Sequence, residues 1–370
     1  ARMTGQIGVT TLGFLNIQTQ NTELSKGANF TALRTTSQVL ERTNVGGIFT
    51  NVQGANGAYN RVGAIDGAIR FWQNALASGW FGNVWSEEKK GGTAAGQLYV
   101  NLSNDLIRAE AAYSNVGENF NPGIGFTERT NYQSYYSELG IAPRFKGNGI
   151  IRQISTVGGI VYFENQQHEK QSHYLWANTN VRFESGDGIN IGGGYDFERL
   201  TEPFQIRRGA IIPAGDYPFT YATIWLGSNQ ARLFSMWFEG NTGRFYNGFK
   251  TFAGLGTTLK LSANFFLSGS LNKNFIELPI ENGKFTTRIV TGRLTYFFSR
   301  NLSIASLLQY DNVSENLRAN IRLNWMHTPG SNLFLVFNTA YIMGDGGLSL
   351  REEMLTNRTG VLKLTYLFGV

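Results

Sequence analysis

Hydrophobic and polar residues alternate along much of the chain, most clearly in the stretch LRANIRLNW at positions 317–325. Apolar residues are interleaved there with Arg318, Asn320, Arg322 and Asn324. A period of two is the signature of a β-strand with one apolar and one wet face. Short turn-forming runs such as Ser299-Arg300-Asn301 end the strands, so we expect neighbouring strands to pair as consecutive hairpins.

Segments of this kind recur from one end of the chain to the other. The pattern predicts about 20 strands (18 to 22), the first over Gln6 to Gln20 and the last over Thr359 to Val370. Tilted strands of about ten residues span the hydrocarbon layer of a bilayer. We therefore predict an all-β fold, namely a transmembrane antiparallel up-and-down β-barrel located in the bacterial outer membrane.

The connections between the predicted strands alternate in length. Short turns, such as Ser185-Gly186-Asp187 and Ser228-Asn229-Gln230, fall at one end of the strands. The three longest connections fall at the other end: Glu118 to Asn131, Arg199 to Tyr217 and Met343 to Arg358. Outer-membrane barrels keep short turns in the periplasm and longer loops outside the cell, so the long connections are predicted to be external.

Composition supports this interpretation and excludes several others. The chain has 370 residues with 45 Gly, 14% aromatic and 16% charged residues, which suits many turns and interfacial aromatic belts. No composition break marks a linker, so residues 1–370 are predicted to form a single barrel domain. No window holds eighteen consecutive apolar residues, which excludes transmembrane helices.

Charge and cysteine content narrow the possible partners. The chain has no Cys, which excludes disulfides and Cys-based zinc sites. Its net charge of +6 comes from residues scattered without runs, so we expect no nucleic-acid partner. We expect outer-membrane lipid or lipopolysaccharide around the wall and other envelope proteins as further partners. Ala1 does not begin a signal peptide, so the chain is expected to be a processed or truncated product.

The more polar face of the predicted strands carries charges of both signs. An Arg or Lys facing lipid at midplane would cost roughly 2 to 4 kcal/mol, so these side chains are predicted to line the lumen. They are Asp66, Arg70, Arg108, Glu110, Glu138, Arg182, Glu184, Asp196, Glu198, Asp311, Arg318, Arg322 and Lys363. Such a wall either selects solutes in a channel or is a salt-bridged lining that conducts nothing.

A barrel of this size leaves a space that side chains alone do not fill. The segment Thr201 to Tyr217 combines Arg207 and Arg208 with apolar Ile residues. It is a candidate constriction loop that folds into the lumen, the alternative being a cap on the outer surface.

Residues that would indicate catalysis or metal binding are sparse. Ser172 stands beside His173, but adjacency does not position a nucleophile and its base. The acidic residues at Asp345, Glu352 and Glu353 match no calcium loop of known spacing. We therefore predict no catalytic residues, no metal site and no cofactor.

Several segments resemble a known family. They are 39–46, Tyr59-Asn60-Arg61, Asn119 to Arg129 with Ala142-Pro143-Arg144, and the stretches SRNLSIASLLQYDN and PGSNLFLVFN. Together they resemble uncharacterised bacterial proteins that join an N-terminal family-nine-like carbohydrate-binding module to a C-terminal outer-membrane β-barrel. The resemblance covers the barrel part. It implies a barrel in the outer membrane, a carbohydrate-binding association that does not transfer to these residues, and no catalytic residues.

Three functional hypotheses follow. The first is a porin-like channel for small polar solutes with a mixed-charge lumen. The alternative is a non-conducting membrane anchor or scaffold for a periplasmic or surface module or for a larger envelope complex. The third and weakest is an outer-membrane hydrolase, and the expectation is that the chain is not an enzyme.

Overall fold

The structure, a computed structural model, describes residues 1–21, 26–55, 57–87, 91–147, 149–343 and 355–367. Secondary structure within these ranges is entirely β. Its 23 strands are β1 (Arg2–Ile7), β2 (Thr10–Gln18), β3 (Ala28–Leu40), β4 (Thr43–Gly54), β5 (Tyr59–Phe71), β6 (Ala75–Ser86), β7 (Ala94–Ser103), β8 (Ile107–Val116), β9 (Tyr132–Ile141), β10 (Ile151–Glu164), β11 (Lys170–Phe183), β12 (Gly188–Leu200), β13 (Phe204–Arg207), β14 (Ala210–Ile212), β15 (Gly215–Gly227), β16 (Phe234–Phe245), β17 (Gly248–Ser262), β18 (Phe265–Glu277), β19 (Lys284–Phe297), β20 (Leu302–Asp311), β21 (Asn316–Thr328), β22 (Ser331–Ile342) and β23 (Leu355–Thr365). Among the described residues there is no helix with the length and apolar character needed to cross a membrane.

The predicted all-β class is confirmed, and apart from the separate β13–β14 hairpin 21 strands are described, within the predicted 18 to 22. Two local features account for the strands beyond 20. The predicted first strand is two strands, because Gly8 adopts a φ of +58° and Ile7 pairs with Thr10 across a two-residue turn. Glycine at the first turn position, with positive φ, is typical of a type II′ hairpin. The second feature is that the predicted loop 201–217 contains the short strands β13 and β14. The predicted end of the last strand, at 368–370, lies outside the described residues.

The chain divides into two compact units, which are described separately. Unit 1 comprises residues 1–144, 155–177 and 195–201, and unit 2 comprises 145–154, 178–194 and 202–370. In unit 1, strands β1 to β10 pair antiparallel in chain order. In unit 2, strands β15 to β23 do the same, and β13 pairs with β14. The single domain remains a prediction from the sequence.

Each sheet has a polar and an apolar face. Residues directly opposite each other on antiparallel strands project to the same face. In unit 1 this places Asp66, Trp80, Gln97, Ser114 and Ser134 in one row on the polar face. The other face carries large exposed apolar residues: Ile65, Phe81, Leu98, Val100, Leu139 and Ile160. This arrangement is the reverse of a soluble protein, in which such residues are buried.

Candidate functional site

The polar face of unit 1 contains a bidentate ion pair that crosses a strand. Arg34 on β3 donates from both terminal nitrogens to the two carboxylate oxygens of Asp66 on β5, passing over Gly46 on β4. A Cβ atom at Gly46 would lie 2.7 Å from Nη2 of Arg34 and 3.0 Å from Oδ1 of Asp66. The missing side chain therefore makes room for the pair.

A second charged cluster lies on the same face, nearer the strand ends at which β7 is connected to β8. Glu110 on β8 and Glu138 on β9 are directly opposite each other, and Nε of Arg108 lies 2.8 Å and 2.9 Å from their respective carboxylates. The hydroxyl of Tyr99 donates to Glu110 at 3.0 Å. Glu138 is 8% exposed, so the cation holds together two carboxylates that would otherwise repel each other.

The connection 117–131, between β8 and β9, folds onto this polar face. Phe120 packs into a buried apolar cluster with Val62, Val84, Ala95 and Val116, which project from strands β5 to β8. Its ring centroid lies 6.5 Å from that of Trp80, a residue in the same row as Asp66. An otherwise polar face thus has one apolar patch, and the connection covers it.

Side chains of the wall fix the connection at both of its ends. The amide nitrogen of Asn60 donates to the carbonyl oxygen of Asn121 at 2.9 Å, and the amide oxygen of Asn60 accepts from the backbone N–H of Gly123 at 2.8 Å. At the other end, Arg129 donates to the hydroxyl of Ser172 at 3.1 Å. The connection therefore reaches from β5 to β11 across the polar face. We call residues 117–131 the inner segment.

The sequence predicted an external loop over 118–131 and placed the candidate constriction at 201–217 instead. In unit 2 that second region forms the β13–β14 hairpin, in which Ala210 and Ile212 are fully buried. The guanidinium of Arg207 lies 4.7 Å from the ring centroid of Phe285 on β19, and both Arg207 and Arg208 are exposed. The contact with Phe285 places the hairpin over the polar face of unit 2. The inner segment differs because hydrogen bonds from wall side chains on two strands hold it.

The polar face of unit 2 is rich in basic residues. The registers place on this face the predicted lumen residues Asp311, Arg318, Arg322 and Lys363, and also Glu239, Lys250, Lys260 and Arg293, which the prediction missed. Within the described part of the chain, Arg293, Arg318, Arg322 and Lys363 form no ion pair. Arg293 lies on β19, Arg318 and Arg322 lie on β21, and Lys363 lies on β23. We call these four residues the basic ladder.

The remaining predicted lumen residues are less informative. Arg70 shares a row with Asn101, Glu110 and Glu138 but is exposed. Arg182 and Glu184 are exposed near the end of β11. Asp196 and Glu198 on β12 both have interaction partners. Asp311 accepts bonds from the backbone of Val313 and the hydroxyl of Ser314 at 2.8 Å and 3.0 Å, so it organises the adjacent turn.

The candidate hydrolase residues do not form a dyad. Ser172 and His173 are consecutive on β11 and therefore project to opposite faces. Ser172 is fully buried and accepts from Arg129, while His173 stacks on Phe197 with ring centroids 5.5 Å apart. No group of His, Asp and Glu among the described residues has the geometry of a metal site. The acidic residues at 345, 352 and 353 lie outside the described ranges.

Side-chain contacts of Asp187 join the turn at 185–187 to the turn at 228–233 in unit 2. Oδ2 of Asp187 lies 2.8 Å from Nη2 of Arg232 and accepts from the Ser185 hydroxyl at 2.7 Å. Its Oδ1 accepts from the backbone N–H of Asn229 at 2.9 Å. These donors, with Ser185 contributing most, lower the pKa of Asp187 to about 2. Both turns belong to the predicted periplasmic set.

No family model matches the chain, and no curated protein matches it. Among solved structures, the siderophore receptor PirA from Pseudomonas aeruginosa is similar with a TM-score of 0.55 and 11% identity, over 96% of this chain and 72% of that one. A mutant of the ferric enterobactin receptor PfeA from the same organism gives a TM-score of 0.56 at 8% identity, over 90% and 67%. At such identity the likeness concerns the fold.

The chain has an outer-membrane β-barrel fold. Barrels of this class face lipid with an apolar surface and keep a polar interior, so the polar faces described above are interior walls and the exposed apolar faces meet lipid. The predicted location in the bacterial outer membrane is confirmed with the fold.

Proposed function

We propose that the chain forms an outer-membrane channel for small polar solutes, with the inner segment as its constriction and the basic ladder favouring anions. The observation that carries the proposal is the inner segment, which wall side chains hold against the polar face at Asn60 and at Ser172. A connection that served only as a surface cap would not need these anchors on the interior wall.

The charge distribution supports a preference for anions. Unpaired cations that line a wet interior concentrate anions and raise their rate of entry. The basic ladder supplies such cations in unit 2, whereas on the wall of unit 1 Arg34 is paired with Asp66, and Arg108 lies between two carboxylates, which leaves that cluster with a net negative charge.

A second candidate function is the uptake of larger ligands through a plugged barrel. Barrels of 22 strands belong to plugged transporters, and the 21 strands described here apart from the small β13–β14 hairpin are nearer to that class than to the 16–18 strands of porins. The similar solved structures are siderophore receptors. A ligand of that kind would need side chains on the interior wall that bind it. A non-conducting anchor and a hydrolase remain the other candidates, and the opposed faces of Ser172 and His173 weigh against the hydrolase.

Single-channel recording in planar bilayers tests the proposal. We expect wild-type protein to conduct, and a variant with residues 119–130 replaced by a short Gly-Ser linker to conduct several-fold more, because the constriction is gone. Silent insertion of both proteins would contradict the channel and favour the anchor. If wild type were silent and only the shortened variant conducted, the result would indicate that the inner segment closes the passage.

Selectivity provides an independent measurement. Arg318→Gln with Arg322→Gln removes two cations from the basic ladder and should shift the reversal potential in a salt gradient towards cations. The matched control, Arg34→Gln with Asp66→Asn, removes one charge of each sign and should leave it unchanged. Equal shifts in the two variants would refute the assignment of selectivity to the ladder.

A cysteine pair tests whether the inner segment must move. Asn60→Cys with Gly123→Cys places the two new side chains in contact, because a Cβ at Gly123 would lie 3.0 Å from Cγ of Asn60. The chain has no other Cys, so only this pair responds to oxidant. Because Asn60→Cys removes the two anchoring hydrogen bonds, the oxidised variant is compared with wild type. Equal conductance is expected of a fixed constriction, and a loss of conductance would reveal a moving gate.

A further inference from the structure

Basic residues also lie on the lipid-facing side of unit 2, away from the proposed channel. Lys273 on β18 and Arg288 on β19 are directly opposite each other. The registers place three more cations on this face near the same strand ends, and we call the whole set the basic rim: Arg244, Lys273, Lys284, Arg288 and Arg358. No part of this set projects to the interior wall.

The basic rim borders the apolar band. The next row towards the middle of the strands consists of Phe238, Leu255, Leu271, Val290 and Tyr310. The guanidinium of Arg288 lies 5.7 Å from the ring centroid of Tyr310. Tyr at the edge of an apolar band marks a membrane–water interface, so the cations lie at the level of lipid headgroups.

The charges of the rim are not balanced within the described residues. Lys284 lies 2.7 Å from Glu277, but Lys273, Arg288 and Arg244 form no ion pair there. Like charges directly opposite each other on neighbouring strands are destabilising, and Lys273 is only partly exposed. An anion between Lys273 and Arg288 would remove that repulsion.

The basic rim lies at one end of the strands, and the leaflet at that end determines which anion is available to it. The rim adjoins the connection 278–283 and shares its end with the long connection 343–354, and long connections are external in this class of barrel. The outer leaflet there is built of phosphorylated glycolipid. We infer that the basic rim binds the phosphate groups of lipopolysaccharide, with Lys273 and Arg288 as the central pair. This site is independent of the proposed channel.

Binding of lipid to detergent-purified full-length protein tests the inference. The probes are lipid A with its phosphates and the same glycolipid after enzymatic dephosphorylation, each measured by native mass spectrometry. We expect wild type to retain the phosphorylated form and Lys273→Gln with Arg288→Gln to bind it roughly tenfold more weakly, because two charge-assisted contacts are lost. The dephosphorylated form should bind both proteins equally weakly.

The matched control is Arg318→Gln with Arg322→Gln, which removes the same charge from the interior face and should bind lipid like wild type. Equal loss in both variants would mean a non-specific effect of net charge and would overturn the site. Equal binding of the two glycolipids to wild type would also overturn it, and that comparison needs no variant. Retained heat-modifiable migration on gels checks that each variant is folded.

Discussion

The interior walls of the two units differ in how their charged side chains are paired. In unit 1 the two charged clusters contain both signs: Arg34 bridges to Asp66, and Arg108 joins two glutamates, while Arg70 on the same face is exposed. In unit 2 the four cations of the basic ladder have no ion-pair partner among the described residues. The first arrangement holds each cation against a carboxylate, and the second leaves a positive potential on the interior wall.

This contrast separates stability from selectivity. A paired charge near a low-dielectric wall becomes costly when its partner is removed, because the remaining charge is poorly solvated. An unpaired and exposed cation contributes little to folding but remains available to a passing anion. Mutations in the two walls should therefore change different measurable properties.

The largest expected effect on stability comes from Arg108→Ala. Glu110 and Glu138 would then face each other without a cation, and Glu138 is buried. Because the Arg108 side chain is 54% exposed, we expect a loss of roughly 2 kcal/mol in the free energy of unfolding, less than for a fully buried pair. Urea unfolding in lipid vesicles measures it.

Arg322→Ala, on the wall of unit 2, serves as the control and should change the free energy of unfolding by less than about 0.5 kcal/mol. If both substitutions destabilise the protein equally, the distinction between a paired and an unpaired wall does not hold.

A smaller effect is expected from Gly46→Ala. The new Cβ would push against the guanidinium of Arg34 at 2.7 Å and disturb its bidentate pair with Asp66, at a cost of about 1 to 2 kcal/mol in unfolding free energy. The matched control is Gly292→Ala on β19 of unit 2, where a Cβ would meet nothing within 4 Å. An equal response at Gly292 would show that the loss of glycine in a strand, and not the ion pair, sets the effect.

The smallest effect is expected at the turns of unit 2, where the pKa of Asp187 is lowered to about 2. A carboxyl with a depressed pKa in the folded state stabilises that state above its ordinary pKa near 4, and loses this contribution as pH falls through about 2. The midpoint of urea unfolding for wild type should therefore exceed that of Asp187→Asn at pH 5, and the difference should shrink towards pH 2. A constant difference across this range would contradict the assigned role of the carboxylate.

The period-two alternation was sufficient to predict most strands, because a residue's face depends only on its neighbours along the strand. The same alternation concealed the turn at Gly8, since a two-residue hairpin leaves the sequence pattern almost unbroken. The registers place Arg318 and Arg322 on one face with Asn320 and Asn324, as the alternation predicts. The alternation missed Arg34, although that residue stands on a predicted strand, because its pairing with Asp66 depends on the register of three strands and on the small size of Gly46.

The position of the inner segment on the polar face could not be predicted from the local pattern of hydrophobic and polar residues. Its anchors join residues far apart in sequence, such as Asn60 with Gly123 and Arg129 with Ser172. The connection has two aromatic residues, and the sequence does not distinguish Phe120, which is buried, from Phe126, which is 88% exposed. Length and polarity alone favoured an external loop.

Both hydrogen bonds of Asn60 to the inner segment are made to main-chain atoms, the carbonyl of Asn121 and the N–H of Gly123. Apart from Gly123, whose added Cβ would lie 2.8 Å from Val52, side chains beside this anchor can be exchanged without loss of the two bonds. A single asparagine on the interior wall therefore holds the inner segment by its main chain, independently of the side chains next to the anchor.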